Sequence, residues 1–187
     1  MKPIRAFITI PLDEKTKTEV DNIIALLQRK NVEQPIRWIK KENLHLTVKF
    51  LGLITLEQYL EFSKKISTAI QCVNSFDLQL TTIACLPEIK HPRVVAIPVN
   101  PSETLMELFN LIELYAEESG ISKETRSFFP HLTIGRVRNS RKFLSLTNIE
   151  FLPLNLPVNS IHFMQSIQGK TGIEYTDLHI TKLNLRR

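Results

Sequence analysis

The tripeptide His-Leu-Thr occurs twice in this 187-residue chain, at His45-Leu46-Thr47 and His131-Leu132-Thr133, 86 residues apart. Each copy sits inside an alternating strand pattern: Leu44, Leu46, Val48 and Phe50 alternate with His45, Thr47 and Lys49, and PHLTIGRV repeats the alternation. Residues two apart in a strand project from the same face, so each copy displays an imidazole beside a hydroxyl and sends its leucine into the core. Two such strands side by side make a symmetric pocket. One strand histidine alone is usually structural, but packing would favour Val or Ile at such positions, so a duplicate in matching context points to chemistry.

The rest of the chain supplies the frame for those two strands. Arg5 to Leu12 reads as an opening strand, and Asp13 begins a helix with Val20, Ile23, Ile24 and Leu27 at helical spacing. Ile36 to Ile39 is a short strand, Thr55 caps a helix to about Gln71, and Phe76 to Ala84 and Arg93 to Val99 read as strands. The second half repeats this order in outline. Ser102 starts a helix with Leu105, Leu108, Phe109, Ile112 and Tyr115 as its buried stripe, and Gly120 ends it. His131 to Val137, Ile149 to Leu154, Val158 to Ser166 and Glu174 to Leu183 supply further strands, separated by Pro157 and the QGKTG turn. Period-two patterning and hairpin-like spacing predict α+β with antiparallel sheets rather than a doubly wound parallel sheet.

Composition excludes several classes. A chain of 187 residues fits one domain or two small packed lobes, and no apolar stretch approaches the roughly 20 residues of a membrane helix. The first apolar run is too brief for a signal sequence, which makes a cytoplasmic setting the expectation. Cys72 and Cys85 form no CxxC pair and have no nearby His at ligand spacing, so they read as buried thiols; no metal or other cofactor is expected. The excess of 24 Lys and Arg over 19 Asp and Glu favours phosphate-bearing partners, although it also serves solubility.

Two histidines suit phosphodiester cleavage, where one group takes a proton from water and another gives a proton to the leaving alkoxide. Imidazole titrates near pH 6.5, so one ring can be neutral while the other is protonated. The hydroxyls of Thr47 and Thr133 can donate to non-bridging phosphate oxygens.

With these flanks, the chain resembles the 2H phosphoesterase superfamily, specifically its RNA 2′,3′-cyclic phosphodiesterase branch, also called 2′-5′ RNA ligases. The similarity runs nearly end to end through IRAFITIPL, RWIKKENLHLTVKFLG and ETRSFFPHLTIGR, with Ser166, Gly172 and Tyr175 where the family has Ser, Gly and Tyr. TTIACLP lacks the aromatic that many relatives carry before the Pro, and Met164 replaces a usual Leu. The resemblance implies one bilobal domain over residues 1–187, with two pseudo-symmetric lobes, each an antiparallel sheet with helices outside, facing a cleft. It implies opening of a 2′,3′-cyclic phosphate at an RNA 3′ end to a 2′-phosphate. His45 is then the proton donor to the 3′ oxygen and His131 the proton acceptor, roles that the pseudo-symmetry makes easy to exchange. The older family name adds the reverse joining of 2′-5′ ends, and a monomer without membrane attachment is expected.

Other residues carry competing readings. Relatives have an Arg at Arg136, yet regular parity turns it with Leu132 and Ile134 away from His131; a bulge at Gly135 would swing it to the cleft as a phosphate ligand. Lys49 shares the parity of His45 and could reach the pocket rim, or be a solvated strand-end lysine. Trp38 and Phe128 could stack a base or simply pack, and Phe7 and Phe129 read as core. His91, His162 and His179 lack the HxT setting, although His179-Ile180-Thr181 is a decoy, and Lys90 to Arg93 is an exposed basic turn. Two further functions stay open: a non-catalytic RNA-binding module, disfavoured by the presence of all four His and Thr residues, and a related branch acting on small cyclic nucleotides.

Overall fold

Most of the strands join one main sheet, and the helices cover its face away from the histidines. The computed structural model describes residues 3–147, 149–169 and 172–184. Its strands are β1 (Ile4–Pro11), β2 (Ile36–Trp38), β3 (His45–Ile54), β4 (Phe76–Leu80), β5 (Ala84–Leu86), β6 (Val94–Pro98), β7 (His131–Val137), β8 (Leu154–Val158), β9 (Ser160–Gly169) and β10 (Gly172–Lys182). Its helices are α1 (Glu14–Lys30), α2 (Leu56–Ile70) and α3 (Glu103–Glu118). Thr55 and Gln58 form a reciprocal capping box on α2, and the Ser102 hydroxyl accepts from the Leu105 N–H at the start of α3. Gly120, at φ +71°, ends α3 in the left-handed conformation that glycine adopts without strain.

The main sheet runs β10-β9-β1-β3-β7-β6-β5, with β2 paired to β7, and every pairing in it is antiparallel. The α+β reading with antiparallel sheets therefore holds. The halves meet where β3 lies beside β7, and the one paired position there is Leu46 opposite Leu132. Antiparallel register around that pair sets His45 beside Thr133 and Thr47 beside His131. β2 and β3 follow one another along the same edge of β7, so Arg37 and His45 both approach β7 from one side.

Two strand expectations change. Phe76 to Ala84 divides: β4 pairs with β8 in a separate two-stranded sheet, and β5 joins the edge of the main sheet. Residues 149–153 are irregular, and β8 begins at Leu154, after Pro153, and contains Pro157, which a two-stranded ribbon tolerates because an edge strand need not donate every N–H. Lys170 and Thr171 of the QGKTG turn lie outside the described residues. No described helix is long and apolar enough to cross a membrane. The thiols are less buried than their apolar neighbours imply: Cys72 is exposed just beyond α2, and Cys85 is half-buried, with burial raising its pKa.

Candidate active site

Both HLT strands break their register just after the motif. Thr9 lies opposite Thr47 but Ile8 opposite Lys49, which leaves Val48 as the extra residue; Ala96 lies opposite Thr133 but Val95 opposite Gly135, which leaves Ile134 extra. Each bulge reverses the facing of the residues after it. Residues four past the histidine, Lys49 and Gly135, turn to the back of the sheet, and the next ones, Phe50 and Arg136, turn to the cleft and are exposed.

This decides the two parity questions. Arg136 does reach the cleft face, close enough for its charge to act on His45. Lys49 does not reach the pocket rim and is not solvated: its side chain is 1 % exposed, with Nζ 2.7 Å from Glu113 Oε1 on α3. At Gly135 a Cβ would come within 2.8 Å of Ile36 Cγ2 and 3.1 Å of the Trp38 ring, so a bare backbone is needed where β2 crosses. Trp38 lies on the back face and packs against the core. Phe128 likewise stacks flat on Phe109, ring centroids 4.1 Å apart.

The two histidines are held alike. His45 Nδ1 lies 2.8 Å from the Asn43 carbonyl oxygen and His131 Nδ1 lies 2.9 Å from that of Phe129, in each case two residues back. A carbonyl oxygen only accepts, so each Nδ1 carries its hydrogen and each Nε2 is left for proton exchange. Neither Thr47 nor Thr133 donates to another described residue, so both hydroxyls are available to an anion.

Their surroundings differ. The His45 ring sits in an aromatic corner, 5.3 Å from Phe7 and 5.2 Å edge-on from Tyr175. Burial there depresses its pKa; the bond to Asn43 opposes the shift and the charge of Arg136 adds to it. His131 has the exposed Phe129 ring 6.2 Å away. Phe7 is buried as expected, but against His45, whereas Phe129 is exposed rather than core. Phe50 is 65 % exposed beside Phe7 and adds an open aromatic face to the cleft. No sequence signal marked Phe50 for this role, because its turn to the cleft depends on the bulge.

Of the remaining histidines, His162 shares the sheet face of Thr47, with Thr9 between them on β1, whereas His91 and His179 lie away from that face. His179 Nε2 is 2.8 Å from Ser67 Oγ on α2, beside a hollow of about 480 Å³ that Thr181 also lines. Ser67 gives its proton to the Ser63 carbonyl at 2.6 Å, so the hydroxyl accepts from His179 and is not activated. The decoy HIT tripeptide thus faces α2, away from the motif strands. His162 Nδ1 pairs with Asp177 Oδ1 at 2.9 Å, and His91 is exposed in the basic turn with Lys90 and Arg93. Ser166 lies opposite Tyr175 across β9 and β10. Among the described residues no group of three or more His, Cys, Asp or Glu is arranged to hold a metal ion.

Comparison with known proteins gives a consistent result. Residues 10–96 match the model of the LigT like Phosphoesterase family. The chain is 31% identical over 186 residues to the RNA 2′,3′-cyclic phosphodiesterase of Aquifex aeolicus, covering 94% of this chain and 95% of that one. It is 27% identical over 178 residues to the enzyme of the same name from Thermotoga maritima, covering 94% of each. In structure it resembles TT0787 of Thermus thermophilus, with TM-score 0.85 over 98% of this chain and all of that one at 20% identity, a likeness of fold.

Proposed function

Since the chain belongs to the LigT-like phosphoesterase family, we propose that it opens RNA 2′,3′-cyclic phosphate ends to 2′-phosphates by two-histidine acid–base catalysis. His131 Nε2 takes a proton from the attacking water as the new P–O bond forms. His45 Nε2 gives its proton to the 3′ oxygen as that P–O bond breaks, leaving a 3′-hydroxyl and a 2′-phosphate. Thr47, Thr133 and Arg136 hold the non-bridging oxygens. The observation that carries the reading is the matched pair of Nδ1 bonds to Asn43 and Phe129, which leaves two Nε2 atoms free on neighbouring strands beside two unpaired threonine hydroxyls. If an RNA 5′-hydroxyl stands in for water, the same departure of the 3′ oxygen yields a 2′-5′ linkage. Both motifs come from one chain and share one sheet, which supports residues 1–187 acting as a single catalytic domain and as a monomer.

The assay is incubation of the purified protein, in EDTA, with an RNA oligonucleotide ending in a 2′,3′-cyclic phosphate, separating 2′- from 3′-phosphate products. A 2′-phosphate is expected. No turnover would overturn the reaction, strong inhibition by EDTA would overturn the two-histidine route, and a 3′-phosphate would reverse the leaving group.

The pH dependence follows from the burial of His45. A lowered pKa means that the free protein loses the His45 proton below the ordinary imidazole value of about 6.5. As the acid, His45 must be protonated, so the alkaline limb of kcat/KM is expected below pH ~6.5. A bound phosphate anion favours imidazolium, so the alkaline limb of kcat is expected at higher pH than that of kcat/KM. Coincident limbs would contradict the assignment of His45 as the acid.

A further inference from the structure

Arg37 and Arg136 lie directly opposite one another across β2 and β7. Residues opposite in an antiparallel pair share a face, so Arg37 faces the cleft with Arg136, and both are exposed. Among the described residues neither has an acidic partner. Like charges directly opposite each other in a sheet repel, so nothing within the protein rewards this pair. Bound anions, one beside each guanidinium group, would.

The position limits what those anions can be. Arg37 is one strand further from the motifs than Arg136, and Arg136 is three residues beyond Thr133, at most ~10 Å along β7. A phosphate held between the histidines would engage Thr47, Thr133 and Arg136. A cyclic phosphate closes a 3′ end, so the chain continues only in the 5′ direction, and any second phosphate nearby must belong to the first internucleotide linkage. On the reading given above, we propose that Arg37 binds this internucleotide phosphate and so makes the site selective for an RNA end over a free nucleoside cyclic phosphate.

Arg37 is a surface side chain whose backbone pairs with β7 whatever it carries, so Arg37→Gln removes the charge and keeps the fold. The test compares wild type and Arg37→Gln on three substrates: uridine 2′,3′-cyclic phosphate, the dinucleotide ending in the same cyclic phosphate, and that dinucleotide with an uncharged methylphosphonate linkage. The expected result is that Arg37→Gln lowers the ratio of dinucleotide to mononucleotide kcat/KM about tenfold, the scale of one charge-assisted hydrogen bond. The methylphosphonate should lower it similarly in wild type and add little more in the variant, which isolates the pair. The slope of log kcat/KM against log salt on the dinucleotide should become shallower by ~0.7, one phosphate contact on a single strand.

Equal effects of Arg37→Gln on charged and neutral linkages, or a wild-type protein that prefers the mononucleotide, would overturn this inference alone. A wild-type protein that opens none of the three substrates would instead overturn the reaction on which it rests.

Discussion

His131→Ala is expected to reduce turnover of a cyclic-phosphate-ended RNA by two to four orders of magnitude, and His45→Ala by a similar factor. Both side chains stand at the start of a strand on the cleft face, and each makes one described hydrogen bond, to its own chain two residues back. Removing the His131 ring therefore costs the fold little and should leave the thermal melt close to wild type. Removing the His45 ring also opens a void between Phe7 and Tyr175, which should lower Tm while circular dichroism still reports a folded protein. The roles separate on a substrate with sulfur in place of the 3′ bridging oxygen. A thiolate leaves without needing a proton, its conjugate acid having a pKa of ~8.5. His45→Ala should recover most of its lost rate on that substrate, and His131→Ala should not. The opposite pattern would exchange acid and base.

The largest effect on stability is expected at the ion pair behind the site. Lys49 and Glu113 are 1 % and 6 % exposed and bridge β3 to α3. Lys49 Nζ also donates to the Ser122 carbonyl at 3.1 Å, and Glu113 Oε2 accepts from the Glu124 N–H at 3.1 Å. The pair thus anchors the irregular segment that leads from α3 to His131. Removing one partner leaves the other charge buried and unpaired, which costs about 3–5 kcal/mol. Glu113→Ala is therefore expected to lower Tm by on the order of 10 °C for a chain of this size. The double change Lys49→Met with Glu113→Leu should regain part of that stability, because no lone charge remains. It should not regain all of it, since the Ser122 carbonyl and Glu124 N–H lose their partners at ~1–3 kcal/mol each. A Glu113→Ala protein that melts with wild type would show that water reaches the pair.

The symmetry of the motifs was visible in one dimension; the asymmetry of the site was not. HLTVKF and HLTIGR look like equivalent segments, and the bulge after each treats them alike. The substituents then diverge: the inward position is Lys49 in one copy and Gly135 in the other, the cleft position Phe50 in one and Arg136 in the other. One half of the cleft is thus aromatic and the other cationic. The aromatic corner around His45 draws on β1 and β10, which no local pattern joins to β3, and it is this corner that lowers the His45 pKa.

What the amino-acid order determined by itself is whatever depends on short-range periodicity: the two HLT strands, their leucines in the core, the capped helices starting after Thr55 and Ser102, and the antiparallel character of the sheets. Period-two facing is a property of each strand alone, so His45, Thr47, His131 and Thr133 could be grouped without knowing their partners. What only the tertiary structure decided depends on pairing. A bulge is a mismatch between two strands, not a feature of one, and it sent Lys49 to the core and Arg136 to the cleft against simple parity. The same holds for Arg37, which became part of the cleft because β2 lies along β7 rather than through anything in its own neighbours.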